Sequence, residues 1–540
     1  MKNYMVFVLS LAFGAVAYGQ TLEEAIKKTD NERYELAEQD FKSLIAKEPT
    51  KADYHFYYGQ NFLKHENLES AITEWQKSAT VDPASAIGMV GKGKALWYLG
   101  DTAAARQQFI AACKATKHKN AEVMRQAGAT YTYAPVKNLN AAIAILTDAI
   151  KIDPKNIEGY LILGDALLEK TPSNGSPAIA QYNKALEIDP KNCKGIVRKA
   201  QLYQRSEAYE EANGLYKDAQ ALDPTYAPAY RANAELNMLF NQYKSAVENW
   251  KKYLELNNST DARYRFATAL YSGKKYCEAI TELESLHESG FTNLYTLRML
   301  SYSLYECNPD ANIEINKKGL AESDKFFAMV PKNKIISLDY KYRGMHYTKM
   351  GNDSLAIVEL VKAMELDSSK RTEIAGEIGK MYMKVKNYEQ GIAYYLIKQD
   401  GKAANLDATE YYELGRAYYF GPKNYALADS AFKQLAIQAP EYGMSHLWRA
   451  RANYKLDNAN VLYLAKPHYE KYLEVITEEE KASGSQKAMQ IEAAKYLGDY
   501  YVNSKEGKDY AKAKIYWKMV ETLDPADKQA KAFFASPAGK

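Results

Sequence analysis

At 540 residues, with 47% hydrophobic and 26% charged residues, the chain has the composition of a folded protein and not of a disordered one. A formal net charge of +4 argues against a general nucleic-acid binder, which needs a strongly basic surface. Tyrosine is over-used, 46 against 15 phenylalanines, which suits an architecture rich in half-exposed surface, where a ring is buried and its hydroxyl wetted.

In chain order, residues 1–19 read as a secretory signal. Lys2 supplies the positive start, Met5 to Val16 is a short apolar run, and Ala17-Tyr18-Gly19 offers small residues for cleavage before Gln20. The run is short for a membrane span and no later stretch is apolar enough for one, although a retained N-terminal anchor is the competing reading. No cysteine follows the run to accept a lipid. The chain is therefore expected to be exported, periplasmic, and at most peripheral to an outer membrane.

Beyond the signal the chain is periodic. Its unit is the stretch Lys191 to Pro224, which runs from one Asp-Pro to the next, with prolines 34 residues apart. A small residue recurs at Ala37, Ala71, Ala105, Ala142, Ala178, Ala212, Ala246 and Ala279, in steps of 34, 34, 37, 36, 34, 34 and 33. Four residues after each stands Phe41, Trp75, Phe109, Leu146, Tyr182, Tyr216, Trp250 or Leu283, and the seventh is again mostly small or apolar. These offsets share one helical face. The pattern predicts helical hairpins, ended by Pro49, Pro83, Pro154, Pro190 and Pro224, that bury their faces only by stacking on one another.

The register loosens over 308–335 and resumes at Ala356, Gly391, Ala428 and Ala465. The last step, to Ala513, is 48 residues, and its excess, Thr477 to Ala488, is polar enough to predict a mobile loop. The expected organisation is an array over 20–290, an irregular joint over 291–335, a second array over 336–525 and a tail over 526–540.

A second small residue falls in each predicted first helix, at Gly59, Gly93, Gly164, Ala200, Gly344, Gly379, Gly415, Ala450 and Gly498. Phe62, Tyr203, Tyr382, Tyr418 and Tyr501 follow three places after some of these. With the small–large–small run of the second helix, this resembles the tetratricopeptide repeat (TPR) family over roughly residues 21–525. The resemblance implies an all-α fold, an α-solenoid of about fourteen TPR-like hairpins wound into a superhelix in two arms. It also implies a concave groove lined by first helices. Carried onto this sequence, the groove has an N-terminal patch of Phe56, Tyr57, Trp97, Tyr98 and Arg125. A middle patch holds Arg231, Tyr264, Arg265 and Tyr271, and a C-terminal patch holds Tyr412, Arg416, Tyr419, Trp448, Arg451 and Tyr454. Arginine and aromatic residues dominate binding hot spots, although such rings also serve to pack one repeat on the next. The lysine–asparagine–arginine clamp that some TPR grooves use for a chain-terminal carboxylate is not found, since Arg231 and Arg265 lack the matching asparagines.

No chemistry of catalysis is legible, and no enzyme activity, cofactor or metal is expected. The seven histidines are scattered over different repeats, and no serine stands in a nucleophile elbow. Gly88 to Ala95, GMVGKGKA, has the glycine and lysine spacing of a phosphate loop. It lacks the closing Ser/Thr and a preceding strand, and Gly93 is already needed for packing. Of the four cysteines, Cys277 is expected to start a second helix and Cys307 to end the next first helix. That placement allows a disulfide, with two buried thiols as the alternative. The function expected is a non-catalytic scaffold of the cell envelope that docks a protein partner in outer-membrane biogenesis, secretion or transport. The alternative is a polysaccharide binder that stacks sugars on groove aromatics.

Overall fold

Helix starts are written locally. Asn67, Asp101 and Asn156 each stand just before a helix and accept a hydrogen bond from the backbone N–H three residues on, at 3.0, 3.0 and 2.9 Å. Each satisfies one of the donors that a helix N-terminus leaves unpaired. In the computed structural model, which describes residues 21–308, 310, 312–400 and 406–540, such starts recur along the chain. The expected signal segment, 1–19, lies outside these residues.

The described residues form 30 α-helices and two short 3-10 turns, with no strand. The fold is an all-α solenoid. Twenty-eight of the helices pair as fourteen antiparallel hairpins, the number expected. Two compact units divide the chain between Thr292 and Asn293. Unit 1 holds hairpins 22–47, 52–81, 86–115, 121–152, 157–188, 193–222, 227–257 and 260–288. Unit 2 holds hairpins 294–329, 337–366, 371–400, 408–438, 443–475 and 484–523, followed by the helix Lys528–Ala535, whose Phe533 stacks on Trp517 at 5.7 Å. The segment 291–335 contains helices Leu294–Glu306 and Ile313–Met329 and a 3-10 turn.

Packing follows the sequence register. The alanines from Ala37 to Ala279 are buried without exception, and so is the large side chain four residues after each. A Cβ placed on Gly59 would lie 2.5 Å from the Trp75 ring, and one on Gly164 2.4 Å from Tyr182. The first helix can approach its partner only because those positions lack a side chain. Gly128, which the sequence reading passed over, does the same against Leu146.

One expectation is corrected. Residues 477–488 are not a loop: Glu478–Ala482 is a short helix, capped reciprocally by Thr477 and Glu480, and a 20-residue helix begins at Gly484. The capping pair rewards helical geometry in a segment whose polarity alone suggested disorder.

Unit 1 closes on itself. The turn between its first two helices reaches the seventh hairpin. There Arg231 binds Glu32 at 2.8 Å, the Tyr253 hydroxyl donates to Glu32 at 2.9 Å, and the Asn257 amide donates to the Glu32 carbonyl at 2.6 Å.

Candidate functional site

The helices Ala408–Phe420, Gly443–Leu456 and Gly484–Asn503 bring the C-terminal patch together, but its members differ in availability. Trp448 is only 8% exposed. It stacks on Phe432 at 5.7 Å, meets Tyr419 edge-on at 5.3 Å and donates its indole N–H to Tyr412 at 3.3 Å. It belongs to the core. Arg451 lies over Trp448 and is held by Glu492 through bonds of 2.9 and 2.8 Å. Tyr454 packs edge-on against Tyr496 at 5.9 Å and stays 37% exposed. Arg416 is exposed, lies over Tyr412 at 5.5 Å and Phe420 at 5.9 Å, and has no ion pair among the described residues. It opens on a cavity of about 620 Å³ that Lys349, Lys380, Lys384 and Lys386 also line, against Asp353, Glu377 and Glu413.

In the middle patch Arg231 and Arg265 meet at Glu235, at 3.2 and 3.7 Å. Arg231 is engaged in the closure of unit 1. Arg265 lies over Trp250 at 5.6 Å and binds Asp261 at 2.7 Å, while Tyr264 packs on Phe291 at 5.6 Å and Tyr271 on Tyr276 at 5.9 Å. In the N-terminal patch Phe56 and Trp97 are core residues, and Tyr98 lies against Trp75 at 5.5 Å. Only Tyr57 and Arg125 face inward, both onto Glu122, with the Arg125 Nε at 3.0 Å.

Those two residues border a cavity of about 350 Å³ on the inner face of unit 1. Lys94, the lysine of the phosphate-loop-like stretch Gly88 to Ala95, lies on its wall and is 4% exposed. Burial, and then the nearby charge of Lys64, push its ammonium down to about 7. Its Nζ donates to Gln60 at 2.7 Å, Gln60 donates to Gln126 at 3.0 Å, and Gln126 to Glu122 at 2.9 Å. Among the described residues no three His, Cys, Asp or Glu side chains are placed to hold a metal ion, and no helix is long and apolar enough to cross a membrane.

No curated protein matches the chain. Residues 22–86 match the tetratricopeptide repeat family. The C-terminal part of a TPR repeat-containing protein from Cytophaga hutchinsonii is 30% identical, over 50% of this chain and 98% of that one, with a TM-score of 0.38. The chain belongs to the tetratricopeptide repeat family. A TPR protein from Thermus thermophilus is 22% identical over 34% of this chain and 99% of its own, with a TM-score of 0.30. One from Parabacteroides merdae is 20% identical over 49% and 98%, with a TM-score of 0.29.

Within the TPR register, the signal for Lys94 was available. It stands one place after the packing glycine Gly93, as Gln60 does after Gly59 and Asp165 after Gly164, and all three residues border inward-facing cavities of unit 1. The phosphate-loop resemblance of Gly88 to Ala95 drew attention to the same lysine for the wrong chemistry.

Proposed function

We propose that this TPR protein is a non-catalytic scaffold of the cell envelope, exported by residues 1–19, that docks an acidic segment of a protein partner in unit 2. The observation behind this reading is the exposed Arg416 at a cavity where five cations face three carboxylates. Arg416 lies on aromatic rings and has no ion pair among the described residues, so an incoming carboxylate gains a cation already held in place. Met381 and Met383 line the same cavity and adapt to varied side chains.

The test is crosslinking and affinity purification from the native envelope, with wild type beside Arg416→Glu/Lys380→Glu. Both residues are exposed, so the melting temperature should hold while partner recovery falls at least about tenfold, a loss of ~1.4 kcal/mol. Recovery should also fall as salt rises. Equal recovery from both proteins would defeat this site. Binding of envelope polysaccharide that survives high salt would favour the sugar-stacking alternative.

A bond between Cys277 and Cys307 is part of the same proposal for an exported protein. Cys277 lies one residue into the helix Tyr276–Glu288 of unit 1, and Cys307 caps Leu294–Glu306 of unit 2. Peptide mapping without reductant should return the two as one linked species, and two free thiols would end the idea.

A further inference from the structure

Five cations and two carboxylates line the inner cavity of unit 1, and two further carboxylates, Glu122 and Asp165, reach its cations from outside the lining. Lys64 is paired with Asp30 at 2.6 Å and Lys194 with Glu158 at 2.7 Å. Arg125 is paired with Glu122, and Arg198 with Asp165 at 3.3 Å. Lys94 is the fifth cation of the lining and has no ion pair among the described residues. The Gln60–Gln126 relay connects it to Glu122, but that carboxylate already accepts from Tyr57 and Arg125. The relay passes polarity along and leaves the charge where it is. A buried ammonium with a single neutral acceptor is costly, and an anion in the cavity would remove that cost.

The rest of the wall says what else the ligand must be. Leu63, Leu161 and Ile162 add apolar surface to the same lining. A volume of about 350 Å³ lies in the range of small-molecule sites. The contacts of Glu32 with Arg231, Tyr253 and Asn257 close the turn of repeats around it, which favours a small molecule over a threaded polypeptide. We propose that this cavity binds a small monocarboxylate with an apolar body, its carboxylate on the Lys94 ammonium and its hydrocarbon against Leu63, Leu161 and Ile162.

The charged groups around Lys94 fix the pH dependence. Lys64 faces it from the helix Ala52–Lys64, and Glu122 and Arg125 from Ala121–Tyr133, while Leu68–Val81 presents the Trp75 ring, 4.8 Å from the lysine Nζ. Only the protonated lysine attracts a carboxylate. Because the empty site holds Lys94 near 7, binding takes up a proton above that pH.

Octanoate is a suitable probe, titrated into the full chain by calorimetry and followed by tryptophan fluorescence through Trp75. The expected result is one site per chain, at least tenfold weaker for octan-1-ol and for Lys94→Met. Affinity should be about fivefold weaker at pH 8 than at pH 7, as the protonated fraction falls. Lys94→Met removes a buried charge at similar length and should fold. If it does not, the pH series on the wild type decides alone. Absence of binding, equal affinity for octanol, an unchanged Lys94→Met affinity in a folded variant or a flat pH profile would each overturn the assignment. So would displacement of octanoate by a capped aspartyl peptide, which would give the site to a polypeptide.

Discussion

Glu207 sits at φ 64°, in the left-handed region where an L side chain crowds the following carbonyl. It lies two residues after one helix ends and two before the next begins. Glu66, Asn241, Lys274 and Lys386 occupy the same place in their hairpins with φ between 56 and 60°, and Gly100 and Gly351 fill it elsewhere. The turn thus demands a positive φ that only two of these sequences meet with glycine. Glu207 is exposed and its side chain makes no hydrogen bond or ion pair among the described residues, so Glu207→Gly should relieve about 1–2 kcal/mol of crowding against about 0.5–1 kcal/mol of added chain entropy. The net expectation is a stabilisation of roughly 0.5–1 kcal/mol in urea melts. Glu32 has the same turn position and φ 59°, but its carboxylate takes Arg231 and Tyr253. There the same change should destabilise by about 1–3 kcal/mol, because charged hydrogen bonds are lost from a half-buried site. Equal signs at the two positions would show that the closure contributes nothing.

At the scale of elements, the hairpins were legible because each rests on local chemistry repeated at a fixed interval: a cap, a small residue, a large one four places on. That is why a count of about fourteen hairpins and the small positions Gly59 and Gly164 could be read from the sequence, while their packing partners, Trp75 and Tyr182, came from the structure. The closure of unit 1 could not. Glu32 and Arg231 are 199 residues apart, and nothing periodic links them, so Arg231 looked like a groove residue awaiting a partner. For a related reason residue type could not show that neighbouring repeats supply Phe432 to Trp448 and Glu492 to Arg451. The helix at 478–482 was readable from its capping residues, and polarity was the weaker guide.

At the scale of the whole molecule, tyrosine usage has a different cause from the wetted hydroxyl that composition suggested. The hydroxyls donate to carboxylates: Tyr182 to Asp165 at 2.6 Å and Tyr253 to Glu32 at 2.9 Å in unit 1, and Tyr469 to Glu492 at 2.8 Å and Tyr501 to Glu470 at 2.7 Å in unit 2. Each joins a ring in a repeat interface to an acidic group on another helix or, for Glu32, on a turn, so ring burial and carboxylate pairing are met by one side chain. Burial first, and then the neighbouring carboxylate, raise all four phenols well above their ordinary value of 10.0. The sign of the linkage follows. Above pH 10 the unfolded chain releases phenolic protons that the folded chain keeps, so this contribution to stability is complete below that pH and is lost as pH rises through the window. Because such pairs occur in both units, alkaline unfolding should be steep. Tyrosinate absorbance should then appear together with the loss of helical circular dichroism, after a smaller early step from exposed rings. A single gradual titration centred near 10 with helicity intact would mean that these hydroxyls are open to water, and that the tyrosine–carboxylate pairs do not hold the repeats together.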